Sequence, residues 1–332
     1  MTDYLKVVVG ERNLLPHRDL LVSQLLSADI ELSWHDRFDE DALSRDLVDA
    51  DVYVGGRVTP AMARAGRGLR LIHVAGAGTD KVAFGELGAD TQVANTFHHE
   101  DSIAEYIVAA TVMLRRGLIG QDASLRQGVW ASSVYQDGVA QPPTMRGAMV
   151  GYVGFGHIGR RTAQLLTALG ARGCAVTGSG RVADAAGLDW HGDTGDLGRL
   201  MKESDIVVVS APLTDATSGM IGSTDLAQLG PDGILVNVGR GPLVVERDLY
   251  EALRDRTIGG ASLDVWYRYP MGGDHAEPAE LPFAELPNVL MTPHTSGVTR
   301  DTFVRRVQDI ADNIRRLAEG RTLQRIVWPV NR

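Results

Sequence analysis

Apolar residues along this chain fall into short β-branched runs separated by stretches with helical spacing. Residues 6–9 (KVVV), 51–54 (DVYV) and 71–74 (LIHV) read as strands, and residues 17–26 have the spacing of a helix. Strand, helix and strand in that order predict a parallel α/β sheet, and a first unit ends near residue 98. A long apolar helix is expected over residues 102–116, capped by Ser102, with Glu105 completing a capping box. Residues 121–146 are less regular and hold Trp130, Tyr135 and the pair Pro142-Pro143. They read equally well as a plain surface loop and as a segment packed across a partner subunit. A second series starts at Ala148, with strands over residues 149–153, 173–177, 206–210, 234–238, 260–265 and 289–291. That is the count and spacing of a complete doubly wound nucleotide-binding domain. One long helix over residues 299–318 comes last, with Ile310, Ile314 and Leu317 on one face.

Composition narrows the function classes. A chain of 332 residues is long enough for two domains with separate cores. Its formal charge of −9 argues against general nucleic-acid binding, which needs a basic surface to displace counterions. Cys174 is the only cysteine, so no intramolecular disulfide can form. The opening MTDYLKVVVG does not read as a signal peptide, and no run approaches the roughly 18 apolar residues of a membrane span. A soluble, cytoplasmic protein is the expectation. No Cys/His cluster has metal-ligand spacing, so no metal is expected.

The most informative local pattern is Gly154-Phe155-Gly156-His157-Ile158-Gly159, which follows the strand at 149–153 and opens a helix. Gly154 permits the tight turn, Gly156 lets backbone approach a pyrophosphate, and Gly159 lets helix and strand pack closely. The helix N-terminus adds N–H donors and partial positive charge. About 20 residues on, where an acid normally binds the adenosine ribose, stands Thr177, with Ser179 and Arg181 close behind. Hydroxyls and an arginine there favour the 2′-phosphate of NADP over the free ribose of NAD.

Taken in order, GFGHIG, NVGRGPLV, LDVW and TPHTSG resemble the D-isomer-specific 2-hydroxyacid dehydrogenases, a family that includes phosphoglycerate, formate and phosphite dehydrogenases. VAGAGTD in the first unit and SIAEY at its exit look like family motifs too, so the resemblance spans nearly the whole chain. It implies an α/β fold of two Rossmann-like, doubly wound parallel-sheet domains. Residues 1–98 and 296–332 would form a split substrate domain, with the nucleotide-binding domain, residues 99–295, inserted between. It also implies a homodimer joined through the nucleotide-binding domains.

Candidate site residues follow from strand ends and from the resemblance. Arg240 lies just past the strand at 234–238, where open α/β sheets bind ligands; a guanidinium there can clamp a carboxylate and polarise the neighbouring oxygen. His294 sits in a Pro-His turn directly after the strand at 289–291. Imidazole suits protonation of the alkoxide left by hydride addition, and the reverse. Ala77 and Gly78 match the family loop whose backbone N–H groups hold the substrate carboxylate, and Asp264 matches the acid near the nicotinamide carboxamide. His98 and Arg57 are weaker substrate-binding candidates.

One position departs from the pattern. Family members usually carry a glutamate partner for the histidine five residues after the DV aspartate; here that residue is Tyr269, followed by Pro270. A phenol can orient imidazole but supports imidazolium less than a carboxylate does. The alternative source of that charge is one of Asp274, Glu277, Glu280 and Glu285 in the following loop. The leading expectation is hydride transfer between NAD(P) and a small 2-oxo or 2-hydroxy acid. Two alternatives are a dehydrogenase of a formate-, phosphite- or hydrated-aldehyde-like substrate, phosphonates included, and a dinucleotide-sensing corepressor-like scaffold.

Overall fold

The computed structural model describes residues 4–26, 29–185, 187–270 and 273–329. The chain divides into two compact units, residues 1–98 with 299–332 and residues 99–298. The second crossing thus falls three residues later than the sequence suggested, just ahead of the helix Arg300–Ala318, whose N-cap Thr299 accepts from the Thr302 N–H.

In the first unit, strands β1 (Leu5–Val9), β2 (Ile30–Trp34), β3 (Val52–Val54), β4 (Leu71–His73) and β5 (Gln92–Ala94) form a parallel sheet in the order β5-β4-β3-β1-β2. A final strand, Ile326–Trp328, adds antiparallel to β5. Period-two alternation decides which core each residue joins. Val7, Val9, Val52, Val54 and Leu71 face the helices Arg18–Leu25 and Arg300–Ala318, in a core with Leu21, Phe303, Ile310 and Ile314. Val8, Tyr53 and Ile72 face the other side and pack with Leu43, Leu47 and Met62. Each such aliphatic side chain contributes about 1.5–3 kcal/mol on burial.

His73 interrupts this apolar lining. It is fully buried, its Nδ1 lies 3.3 Å from the Val74 carbonyl, and its Nε2 has no partner among the described residues. Burial pulls its pKa down to about 4. Between the ordinary value of about 6.5 and 4, the unfolded chain takes up a proton that the folded chain refuses. Stability is therefore full above about pH 6.5 and declines as pH falls, by about 3 kcal/mol at most from this residue. Between pH 7 and pH 4 the urea midpoint of the native protein should fall more steeply than that of His73→Leu. Parallel curves would contradict this account.

In the second unit, β6 (Met149–Val153), β7 (Arg172–Val176), β8 (Trp190–Gly192), β9 (Ile206–Val209), β10 (Ile234–Asn237), β11 (Gly260–Leu263) and β12 (Val289–Met291) form a seven-stranded parallel sheet. Its order is β12-β11-β10-β9-β6-β7-β8, so strand succession reverses between β6 and β9, where doubly wound sheets open a ligand crevice. Both faces are covered. Ile206, Val208, Ile234 and Val236 pack on the side of the helices Glu100–Arg115 and His157–Ala168, and Val207, Val209 and Leu235 on the other. No helix among the described residues is long and apolar enough to cross a membrane.

The capping expectation at Ser102 is corrected. The helix Glu100–Arg115 starts earlier, with His99 at its N-cap and no side-chain cap. Ser102 is buried in the first turn and donates instead to the Ser296 carbonyl at 2.5 Å. The stretch read as irregular begins with the helix Leu118–Leu125, and beyond it Val129, Trp130, Val134 and Tyr135 are all exposed.

Candidate active site

All the chemistry-bearing turns of the second unit lie at the C-terminal ends of its parallel strands. After β6, Gly154 takes φ +91°, and a Cβ there would meet the Ala211 backbone at 2.8 Å. A Cβ at Gly159 would sit 2.8 Å from the Gly154 carbonyl, so the third glycine secures close strand–helix packing. A Cβ at Gly156 would meet nothing within 4 Å, which leaves open space above the N-terminus of the twelve-residue helix His157–Ala168. The turn therefore has the shape that a pyrophosphate requires, with a helix N-terminus beneath the open space. His157 is exposed and Ile158 half-buried on that first turn.

After β7 the chain folds back on itself. Thr177 donates through its hydroxyl to the Arg181 carbonyl at 3.1 Å, and the Ser179 hydroxyl accepts from the Arg181 N–H at 3.4 Å. These bonds leave Arg181 exposed. The short edge strand β8, which the sequence did not reveal, brings Asp193 against Gly180, its Cβ 3.3 Å from where a glycine substituent would stand. Asp193 Oδ1 accepts from the Gly195 N–H at 2.8 Å.

Arg240 follows β10 in an extended conformation. Asn237 shapes its turn: the side-chain amide donates to the Arg240 carbonyl, and Oδ1 accepts from the Gly239 N–H. The guanidinium donates through Nη1 to the Gly239 carbonyl at 2.8 Å. Gly241 is required next, because a Cβ there would lie 2.4 Å from the Trp266 carbonyl.

Trp266 joins the arginine turn to the histidine turn. Its indole N–H donates to the Thr292 carbonyl at 2.8 Å, and its backbone N–H donates to the Tyr269 hydroxyl oxygen at 3.1 Å. The Tyr269 oxygen lies 3.2 Å from His294 Nδ1. The glutamate position of the family pattern is thus in hydrogen-bond contact with the histidine through a phenol. Of the acids considered as substitutes, Glu280 accepts from Arg268 at 3.0 Å, and Asp274, Glu277 and Glu285 are exposed.

His294 itself sits at φ +58°, a backbone conformation that costs a non-glycine residue of order 1 kcal/mol or more. Asp264 offsets that cost. Its fully buried carboxylate accepts from the Thr292 hydroxyl (2.6 Å), the Thr295 N–H (2.9 Å) and the Ser296 N–H (2.9 Å). The carboxylate is thus enclosed beneath the histidine turn. Tyr106 lies 2.8 Å from both the Ser262 and Thr292 hydroxyls. Since the Thr292 proton goes to Asp264, the hydroxyls order as Ser262 to Tyr106 to Thr292 to the carboxylate. Trp266, Thr292, Ser102 and Tyr106 escaped the sequence reading as site residues, although all four lie within the LDVW, TPHTSG and SIAEY motifs.

The first unit holds the other candidates. The Gly76 carbonyl accepts from the Thr96 N–H and the Ala77 carbonyl from the Asn95 side chain. The N–H groups of Ala77 and Gly78 find no acceptor among the described residues, as an anion-holding loop requires. Arg57 is exposed and lies over the Phe38 ring at 4.5 Å. His98 does not offer Nε2 to a ligand. That atom is paired with Asp309 at 2.8 Å, and Thr96 and Arg325 converge on the same carboxylate.

The family model for the D-isomer specific 2-hydroxyacid dehydrogenase NAD binding domain matches residues 108–296, more than half of the chain. The chain belongs to this family. The dehydrogenase is 31% identical to a glycerate dehydrogenase of Methylorubrum extorquens over 76% of this chain and 77% of that one. It is 30% identical to a glyoxylate reductase of Aeropyrum pernix, over 68% and 66% respectively. Among solved structures, an NADPH-dependent glyoxylate/hydroxypyruvate reductase of Sinorhizobium meliloti, in complex with NADP and malonate, superposes with a TM-score of 0.78. Its identity is 25%, and the match covers 98% of this chain and 97% of that one. The protein is accordingly an NAD(P)-dependent oxidoreductase of the 2-hydroxyacid class, and its glycine turn fits the nicotinamide cofactor.

Proposed function

We propose that the dehydrogenase reduces small 2-oxo acids to 2-hydroxy acids, and runs the reverse reaction, using Arg240 as carboxylate clamp and His294 as proton donor and acceptor. One observation carries this reading: the contacts through Gly241, Trp266 and Tyr269 that tie the arginine turn to His294 at the ends of β10, β11 and β12. A nicotinamide bound on the glycine turn would supply or accept the hydride. Arg240 would hold the substrate carboxylate and draw charge toward the oxygen that becomes alkoxide. His294 would give that oxygen its proton, and Tyr269 would hold the ring. The relatives, enzymes acting on glycerate and glyoxylate, favour neither the formate- or phosphite-like donor nor the corepressor-like scaffold. Turnover of a panel of 2-oxo acids, aldehydes and phosphonates with both reduced cofactors tests the proposal. No turnover of any oxo acid would refute it.

NADPH is the proposed preference, supported by the exposed Arg181 and by the absence of an acid at Thr177. KM for NADPH should be lower than for NADH, and Arg181→Ala should narrow that gap by about tenfold, the worth of one charge-assisted contact. Equal use of both cofactors by the native protein would reject the preference. The homodimer also stands as a proposal, supported by the exposed Trp130, Val134 and Tyr135. Light scattering should give twice the 35.8 kDa of the chain, and a monomer at micromolar concentration would refute it.

A further inference from the structure

We propose that Tyr269 and His294 form a proton relay, in which the Tyr269 hydroxyl replaces through Nδ1 the proton that His294 delivers from Nε2 to the substrate oxygen. The proposal rests on the reading of His294 given above and deepens it. A backbone N–H can only donate, so the Trp266 N–H at 3.1 Å commits one lone pair of the Tyr269 oxygen. The Tyr269 oxygen lies 3.2 Å from the ring nitrogen Nδ1, and the relay assigns the proton between them to the hydroxyl. When Nδ1 accepts it as a hydrogen bond, the neutral imidazole carries its own proton on Nε2.

That arrangement inverts what a carboxylate partner does. A carboxylate only accepts, so it holds the proton on Nδ1 and leaves Nε2 bare in the neutral ring. Such a histidine protonates an alkoxide only as imidazolium. Beside a phenol, Nε2–H persists in the neutral ring, and donation continues above the imidazole's own titration.

Hydride forms the new C–H bond, and the carbonyl π pair moves to oxygen. The Nε2–H bond breaks as the substrate O–H forms, and the Tyr269 O–H bond breaks as Nδ1–H forms. The phenolate keeps the Trp266 N–H as donor and is open to water, Tyr269 being 39% exposed. A solvent proton reaching Nε2 and return of the Nδ1 proton to the phenolate restore the starting state. Titratable or charged groups on the elements that meet the turn are Asp264 beneath it, Tyr106 bonded to Thr292, His99 against Gly297, and Arg240 and Arg268 on the turns flanking Trp266. Tyr269→Phe leaves all of them in place, so a difference between the two forms isolates the hydroxyl.

Two measurements decide the matter. Nitrogen-15 NMR of histidine-labelled protein without cofactor, with His294 assigned by its loss in His294→Asn, should show the Nε2–H tautomer at about pH 8, above the ordinary imidazole titration. Tyr269→Phe should lose that bias. A native Nδ1–H tautomer overturns the relay, and this result needs no turnover. In the second measurement, reductive kcat/KM of the native enzyme should hold above the His294 titration seen by NMR. The deficit of Tyr269→Phe relative to the native enzyme should be at least about tenfold larger at pH 9 than at pH 6. Coincident profiles overturn the relay while leaving Arg240 and His294 in their roles. Failure of the native enzyme on every 2-oxo acid removes those roles instead.

Discussion

Replacing Arg240 by alanine should lower kcat/KM by about three orders of magnitude, or about 4 kcal/mol of transition-state stabilisation. Two losses combine in the one guanidinium: the grip on the substrate carboxylate and the positive charge beside the forming alkoxide. Arg240→Lys should recover only part, since a point charge lacks the planar fork that meets two oxygens at once. The fold should tolerate the change. Arg240 is half-buried, its turn is shaped by Asn237, and the backbone that Asn237 binds survives substitution. Steady-state kinetics beside a thermal melt would separate the two effects. Turnover within threefold of native in the alanine variant would refute the clamp.

Asp264→Asn should be nearly as damaging to activity, for a different reason. Asparagine can keep one oxygen toward the Thr292 hydroxyl and the Thr295 N–H. Its NH2 would then face the Ser296 N–H, donor against donor, in a place with no solvent access. A buried N–H left without an acceptor costs about 1–3 kcal/mol, and the cheapest relief is movement of the turn. That turn is the one that holds His294 at φ +58°. A displacement of about 1 Å in a proton donor costs roughly a hundredfold in rate. The expected result is kcat reduced about a hundredfold with KM little changed and a melting point lowered by a few degrees. Native kcat in this variant would show that the carboxylate does not position the histidine.

Much of the parallel architecture was legible in the pattern of residues. Strands at 149–153 and 289–291 end where the alternation predicted, because runs such as MVGYV are apolar on both faces and bounded by turn residues. What escaped was short or at an edge. β5 (QVA), β8 (WHG) and the final strand Ile326–Trp328 have three residues each, and the first two carry polar residues within so short a run. β2, IELSW, is a half-buried edge strand with a charge inside it. The capping box at Ser102 satisfied a local rule that tertiary contact overrode, since the Ser296 carbonyl offered the hydroxyl a partner 194 positions away.

By itself, the sequence determined the glycine turn, the order of the motifs, and the presence of Arg240, Tyr269 and His294 at or just beyond strand ends. These are local properties: a φ of +91° at Gly154 or a strand bounded by turns is written in a few adjacent residues. The tertiary structure alone decided what each polar group touches. Asp264 lies thirty positions before His294 and turned out to support it from beneath, His98 was claimed by Asp309, and Trp266 became the link between two turns. Buried polar groups must find partners wherever folding brings them. That pairing depends on the packing of whole sheets, so no window of sequence contains it.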